Sequence, residues 1–169
     1  MSEEKIAALS AIEERLSAAP CERLGLVLAN GIFDLVHVGH VRYLTGAKRA
    51  GRRLLVALNS DDSAQRLKGP GRPFVPLEER MEIVAALACV DWVTWFAGDS
   101  VEEVLLRIRP AIHAKGTDYT VETVPERELA KALGIETVIV GDSKDHASSD
   151  LIRRIQSRDR PDSGASRRG

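Results

Sequence analysis

A doubly wound α/β fold, one domain built on a parallel five-stranded sheet with helices on both faces, is what the sequence predicts, and three observations carry that prediction. Apolar runs of strand length alternate with stripes of helical period along most of the chain. The first two runs, LGLVLA (24–29) and RRLLVALNS (52–60), bracket the helix-like HVRYLTGAKRAG and so form a βαβ unit, whose strands must pair in parallel. Glycines, lysines and small polar residues gather in the stretches that follow the runs, where ligands bind in an open parallel sheet.

Taken in order, Ile6, Leu9, Ile12 and Leu16 make the apolar stripe of an amphipathic N-terminal helix ended by Ala19-Pro20, and residues 1–20 are expected as an appendage to the domain at 21–156. After the βαβ unit the stretch NSDDSAQRLKGPGRP reads as a loop. Leu77, Met81, Val84 and Ala88 form a helical stripe before the strand DWVTWF, and Val101, Val104, Leu105 and Ile108 form another before the strand AIHAKG. Pro125 suits the first turn of a helix carrying Leu129 and Leu133, Gly134 suits its C-terminal cap, and ETVIVG (136–141) supplies the fifth strand. A short helix from about Ser149 to Ile155 closes the domain. The tail SRDRPDSGASRRG (157–169) has almost nothing apolar to bury and is expected to be disordered.

Composition excludes several classes. At 169 residues, with 44% hydrophobic and 29% charged residues, the chain has enough for one ordinary soluble core. Twenty-four Lys and Arg against 25 Asp and Glu leave a net charge of -1, so no global basic field exists to hold a nucleic acid or an anionic membrane. Any anion site must be local. The N-terminal sixteen residues carry acids where a signal peptide needs a basic start, and no apolar run of about 18 residues occurs, so a cytoplasmic protein is expected. Cys21 and Cys89 lie far apart without CxxC spacing, which argues against a zinc site or a disulfide framework.

The stretch NGIFDLVHVGH, Asn30 to His40, follows directly on the first strand. It matches neither GxxxxGK nor GxGxxG. Gly31 lets backbone approach a ligand, Phe33 and Asp34 follow, and His37 and His40 fall at the start of a helix whose N-terminus carries partial positive charge, with Gly39 leaving room between them. An HxxH zinc pair lacks a third ligand at a suitable spacing. Two histidines satisfied by local hydrogen bonds remain an ordinary alternative, but the run of Gly, Asp, His, Gly and His in one turn favours a phosphate site.

These residues carry a resemblance. GIFDLVHVGH is similar to the GxFDxxHxGH signature of the cytidylyltransferase-like nucleotidyltransferases, which join a nucleoside triphosphate to a phosphate ester and release pyrophosphate on a Rossmann-like sheet. More narrowly, LKGPGRPFVPLEERMEIVAAL, VDWVTWF, KGTDY and the Ser-Ser near the C-terminus resemble, in order and spacing, the branch that makes ADP-heptose from ATP and heptose 1-phosphate. The resemblance runs from about Lys5 to Gln156. The sequence departs from that branch at Ile32, where cysteine is usual, and in HASSD, where Ala147 stands in a hydroxyl triplet. Asp142 stands where related glycerol-3-phosphate cytidylyltransferases have an arginine, which leans away from that branch.

The resemblance implies that His37, His40 and Lys68 are catalytic, the histidines as donors to the triphosphate. It implies nucleotide contacts at Asn30, Gly31, Ile32, Phe33, Asp34, Gly39, Lys144, Ser148 and Ser149, and acceptor contacts at Lys68, Arg72, Arg80, Lys115, Gly116, Asp118 and Tyr119. Asp34 is open to a helix-capping role instead, and His113 reads as a core or sheet residue. ATP and a small phosphorylated substrate are the expected partners, with Mg²⁺ carried on ATP, no metal held by the protein itself, no nucleic acid, no membrane, and a homodimer as the assembly. The sugar-kinase domain fused in some relatives has no counterpart in the sequence, so a separate kinase chain is expected. The rivals are a cytidylyltransferase acting on an alcohol phosphate such as glycerol 3-phosphate, and a non-catalytic nucleotide-binding regulatory module.

Overall fold

Five strands, β1 (Leu26–Gly31), β2 (Arg53–Asn59), β3 (Trp92–Phe96), β4 (Ile112–Gly116) and β5 (Glu136–Val140), form one sheet in the order β3-β2-β1-β4-β5, every pairing parallel. The computed structural model describes residues 3–142 and Ile152. Apart from Ile152, the helix expected from Ser149 to Ile155 and the tail after it lie outside the described residues, as do Lys144, His146, Ala147, Ser148 and Ser149.

The strands read as unbroken apolar runs because both of their faces are covered. Leu26, Leu28, Leu55 and Ala57 point to one side, into a core with α1 (Leu9–Ala18), α5 (Glu102–Ile108) and α6 (Arg127–Ala132). Val27, Ala29, Leu54, Val56 and Leu58 point to the other, against α2 (Val38–Ala50) and α4 (Leu77–Ala85). The period of two survives as a partition between two cores, although it is invisible as a polar alternation. The strand order reverses between β1 and β4, so the crevice beyond their carboxyl ends lies at Gly31 and Gly116.

Two expectations need correction. The N-terminal helix is no appendage: Leu9, Ile12 and Leu16 are buried in the core they share with α5, and Ile6 forms an isolated parallel bridge to Val93. Arg23 donates to the carbonyls of Leu16 and Ile108, and Arg107 pairs with Glu13 at 2.8 Å. Burying a leucine or isoleucine side chain contributes about 1.5–3 kcal/mol, so the stripe is a large share of a domain's stability. The stretch after β2 is also not all loop, since it holds α3 (Asp61–Lys68). Ser60 accepts from the Ser63 amide at its N-cap, Asp61 and Asp62 fill its first turn, and Gly69, at φ 93, leaves it. It buries only Ser63 and Ala64, and a helix that buries so little shows no apolar stripe.

None of the described helices is long and apolar enough to cross a membrane.

Candidate active site

An open cleft of about 740 Å³ lies over the carboxyl ends of the strands, a size suited to a nucleotide-sized ligand. Its floor is the turn between β1 and α2. Gly31 is the last residue of β1, and a Cβ there would sit 3.2 Å from the Phe33 ring, so glycine suits the close approach. Phe33 and Leu35 take φ values of 53 and 52, the left-handed region that costs non-glycine residues about 1–2 kcal/mol each. Burial offsets that cost: the Phe33 ring is 3% exposed, 5.3 Å from the His40 ring and stacked on Tyr43, whose hydroxyl donates to the Ala114 carbonyl at 2.8 Å. The same burial drives the Tyr43 phenol upward, so it stays a donor.

Asp34 is buried at the edge of the cleft. Its carboxylate accepts from the amides of Phe74 and Val75 at 3.0–3.1 Å and pairs with Arg72 at 2.8 Å, tying the KGPGRP loop to the turn. Arg80 supports the same junction from below. It was expected to reach the acceptor; instead it is fully buried and donates to the carbonyls of Val75, Ile32 and Asn59 and to Asp61. A planar five-donor fork on α4 is the group that can satisfy carbonyls from two loops and the end of β2 at once, which is why it is turned inward. Arg80 does not line the cleft.

The two histidines are locked by a reciprocal cap. His37 Nδ1 accepts from the Gly39 amide at 3.1 Å, and His40 Nδ1 faces the His37 amide at 3.4 Å, their rings 4.0 Å apart. With both Nδ1 atoms accepting, each neutral ring carries its proton on Nε2. Burial first, then the neighbouring His37, lowers the His40 pKa from 6.5 to about 4, against a smaller opposing pull from Asp34. At neutral pH His40 is thus an uncharged N–H donor at the start of a thirteen-residue helix.

On the other flank, Lys115 is 6% exposed, 3.1 Å from Glu126, 3.4 Å from Asn30 Oδ1 and beneath the Tyr119 ring. His113 is fully buried, as a sheet residue should be, with Nε2 at 3.1 Å from the same Asn30 oxygen. Burial and the Lys115 charge lower its pKa to about 4, so it acts as a neutral donor to Asn30.

The cleft therefore gathers Asn30, Gly31, Ile32, Phe33, Asp34, His37, Gly39, His40, Lys68, Arg72, Lys115, Gly116, Asp118 and Tyr119. Lys68 reaches it from the last turn of α3 rather than from a loop. Sequence reasoning missed Arg42, Asn59, Asp99, Ser100, Thr117, Glu126 and Asp142, which also line it. The loop positions among these had a signal, since they follow strands. Glu126 shares that signal, in the stretch between β4 and α6, but nothing there singled it out from the neighbouring charges.

A profile of the family described as cytidylyltransferase-like matches residues 28–159. The chain is 44% identical over 159 residues to a protein named Bifunctional protein HldE from Alcanivorax borkumensis, covering 94% of this chain and 32% of that protein. It is 46% identical over 131 residues to the protein of the same name from Hahella chejuensis, covering 78% and 28%. The chain thus spans about a third or less of the length of these relatives. Among solved structures, a lipopolysaccharide core biosynthesis protein from Thermoplasma volcanium GSS1 superposes with a TM-score of 0.61 at 23% identity, covering 72% of this chain and 99% of that one. A pantothenate synthetase from Thermus thermophilus gives 0.57 at 15% identity, over 88% and 70%. At those identities the likeness is one of fold.

Proposed function

The chain belongs to the cytidylyltransferase-like family, and from that premise we propose that it is a nucleotidyltransferase moving the adenylyl group of ATP onto a sugar 1-phosphate of the heptose type. The observation that carries the reading is the locked pair His37 and His40 at the start of α2, in a cleft at the switch point of the sheet. A phosphate monoester is largely ionised at pH 7, its second pKa being about 6, so its oxygen attacks without a general base. A new bond forms from that oxygen to the α-phosphorus, the bond from the α-phosphorus to the bridging oxygen breaks, and pyrophosphate leaves with that oxygen. The work left to the protein is alignment and charge stabilisation.

Donors suit that work here. The Nε2–H groups of His37 and His40, with the amides of the first turn of α2, would meet the α- and β-phosphates, and Lys68 from the end of α3 and Arg72 from the loop after it would add charge. Gly39 keeps the helix start open. Lys144, Ser148 and Ser149 belong to the same reading as nucleotide contacts. Mg²⁺ would neutralise phosphate oxygens. Among the described residues no group of three His, Cys, Asp or Glu side chains is set to hold a metal, and Asp34 is engaged by Arg72 and two amides, so the ion would be held mainly by phosphate oxygens and water.

Pyrophosphate release is to be measured with ATP and CTP against heptose 1-phosphates, other sugar 1-phosphates and glycerol 3-phosphate. Release with ATP and a heptose 1-phosphate is the expected result. Turnover only with CTP and glycerol 3-phosphate would replace this reading by a cytidylyltransferase, and nucleotide binding without turnover on the whole panel would make the chain a regulatory module.

A further inference from the structure

The β4 end of the cleft contains a positive charge that is cancelled before any ligand arrives. Lys115 and Glu126 are 6% and 5% exposed, both line the cleft, and their charged atoms are 3.1 Å apart. Among the described residues, the groups beside the pair add no positive charge: Asn30 is an amide, His113 is held neutral, Tyr119 is a phenol and Asp118 is an acid. A phosphate placed on Lys115 would meet the Glu126 carboxylate at similar range, and like charges a few ångströms apart repel strongly at a partly buried site. Yet the hydrogen bonding of the pair is incomplete. Beyond its 3.1 Å ion pair with Lys115, Glu126 Oε2 is buried with no hydrogen-bond partner among the described residues, and the Lys115 contact to Asn30 is long at 3.4 Å. A hydroxyl both donates and accepts, so two adjacent hydroxyls can donate to Glu126 and accept from Lys115 without adding charge.

We propose that Lys115 and Glu126 together form a subsite for neighbouring hydroxyls of a neutral sugar ring, and that Glu126 is the residue that turns this end of the cleft away from phosphate. The inference rests on the nucleotidyl-transfer reading, which puts the phosphates at the histidine turn and leaves two sugar rings to be accommodated, the ribose of the nucleotide and the ring of the acceptor. It assigns Lys115 to hydroxyls rather than to the acceptor's phosphate.

The test separates those two sources and does not depend on turnover. Calorimetry measures binding of ATP, 2′-deoxyATP and 3′-deoxyATP, and of heptose 1-phosphate and forms of it lacking one ring hydroxyl, to the intact chain and to Glu126→Gln. In the intact chain one of the two sets should lose affinity by about tenfold or more on removal of a hydroxyl, because buried partners are left unpaired. The set that responds identifies the ring. Glu126→Gln should shrink that preference towards unity and let inorganic phosphate compete more strongly. Equal binding of all the deoxy forms by the intact chain, or an undiminished preference in Glu126→Gln, would overturn the proposal. Should Glu126→Gln not fold, Lys115→Met with Glu126→Gln removes both charges at similar volume, and the intact-chain comparison decides the matter by itself. A chain that binds and discriminates but releases no pyrophosphate would sink the transferase reading and leave the subsite standing.

Discussion

At the β1–α2 turn, buried polar groups are satisfied largely by backbone: Asp34 by two amides beside Arg72, His37 by the Gly39 amide, Arg80 by three carbonyls and Asp61. At the β4 end the corresponding work is done by side chains, Lys115 against Glu126 and both His113 and Lys115 against Asn30. The contrast has a chemical consequence. Backbone partners hold the turn rigid while leaving ring N–H groups directed by tautomer to serve a ligand. Side-chain partners balance one another, so the charge of Lys115 is offset by Glu126. One flank keeps ring N–H donors open to the cleft and the other holds a paired cation and acid.

The largest expected effect breaks the backbone-satisfied side. Arg80→Ala leaves three carbonyls and Asp61 without their donor, which should cost about 3–5 kcal/mol. In thermal unfolding that is a fall in Tm of roughly 10 °C or more. A fall of only a degree or two would mean that water replaces the guanidinium, and the turn would not be the rigid partner in the comparison.

Next in size is His40→Ala, where removal of one transition-state donor should lower kcat about 10²- to 10³-fold with little change in Tm. His37→Ala should lose activity to a similar degree, and because His37 also caps α2 it should lower Tm by a few degrees, on the order of 1 kcal/mol. The double variant should lose less than the product of the two factors if both act on one phosphate. Stoichiometric zinc in the purified protein, lost with activity in either variant, would replace this account of the turn.

The smallest effect compares the two flanks through pH. His40 and His113, one on each flank, have pKa values drawn down from 6.5 to about 4. Between those values the unfolded chain binds more protons than the folded one, so stability is full above about pH 6.5 and falls as pH drops towards 4. Melting curves between pH 7.5 and 4.5 should show that decline. His113→Gln, which keeps a donor for Asn30, should flatten it in part. A Tm independent of pH in this range would show that neither ring is held neutral.

Much of this was legible in the chain itself. Strand-length apolar runs separated by helical stripes determine a parallel sheet covered on both faces, because only strands buried on both sides can be apolar at every position. Gly31, His37, Gly39 and His40 announce the strand end and the capped helix start because their spacing is local, and local geometry is written in consecutive residues. What the tertiary structure alone decided are the partnerships between distant residues. Arg80 and Lys115 look alike in sequence, each a cation beside an apolar stretch, yet one is buried among carbonyls of two loops and the end of β2 and the other faces the cleft beside an acid eleven positions on. The N-terminal stripe had a partner that no local pattern names, in α5, and α3 buries too little to leave a periodic mark. A side chain's charge is chosen locally, but whether that charge is spent on the fold or kept for a ligand depends on which loops the sheet brings together.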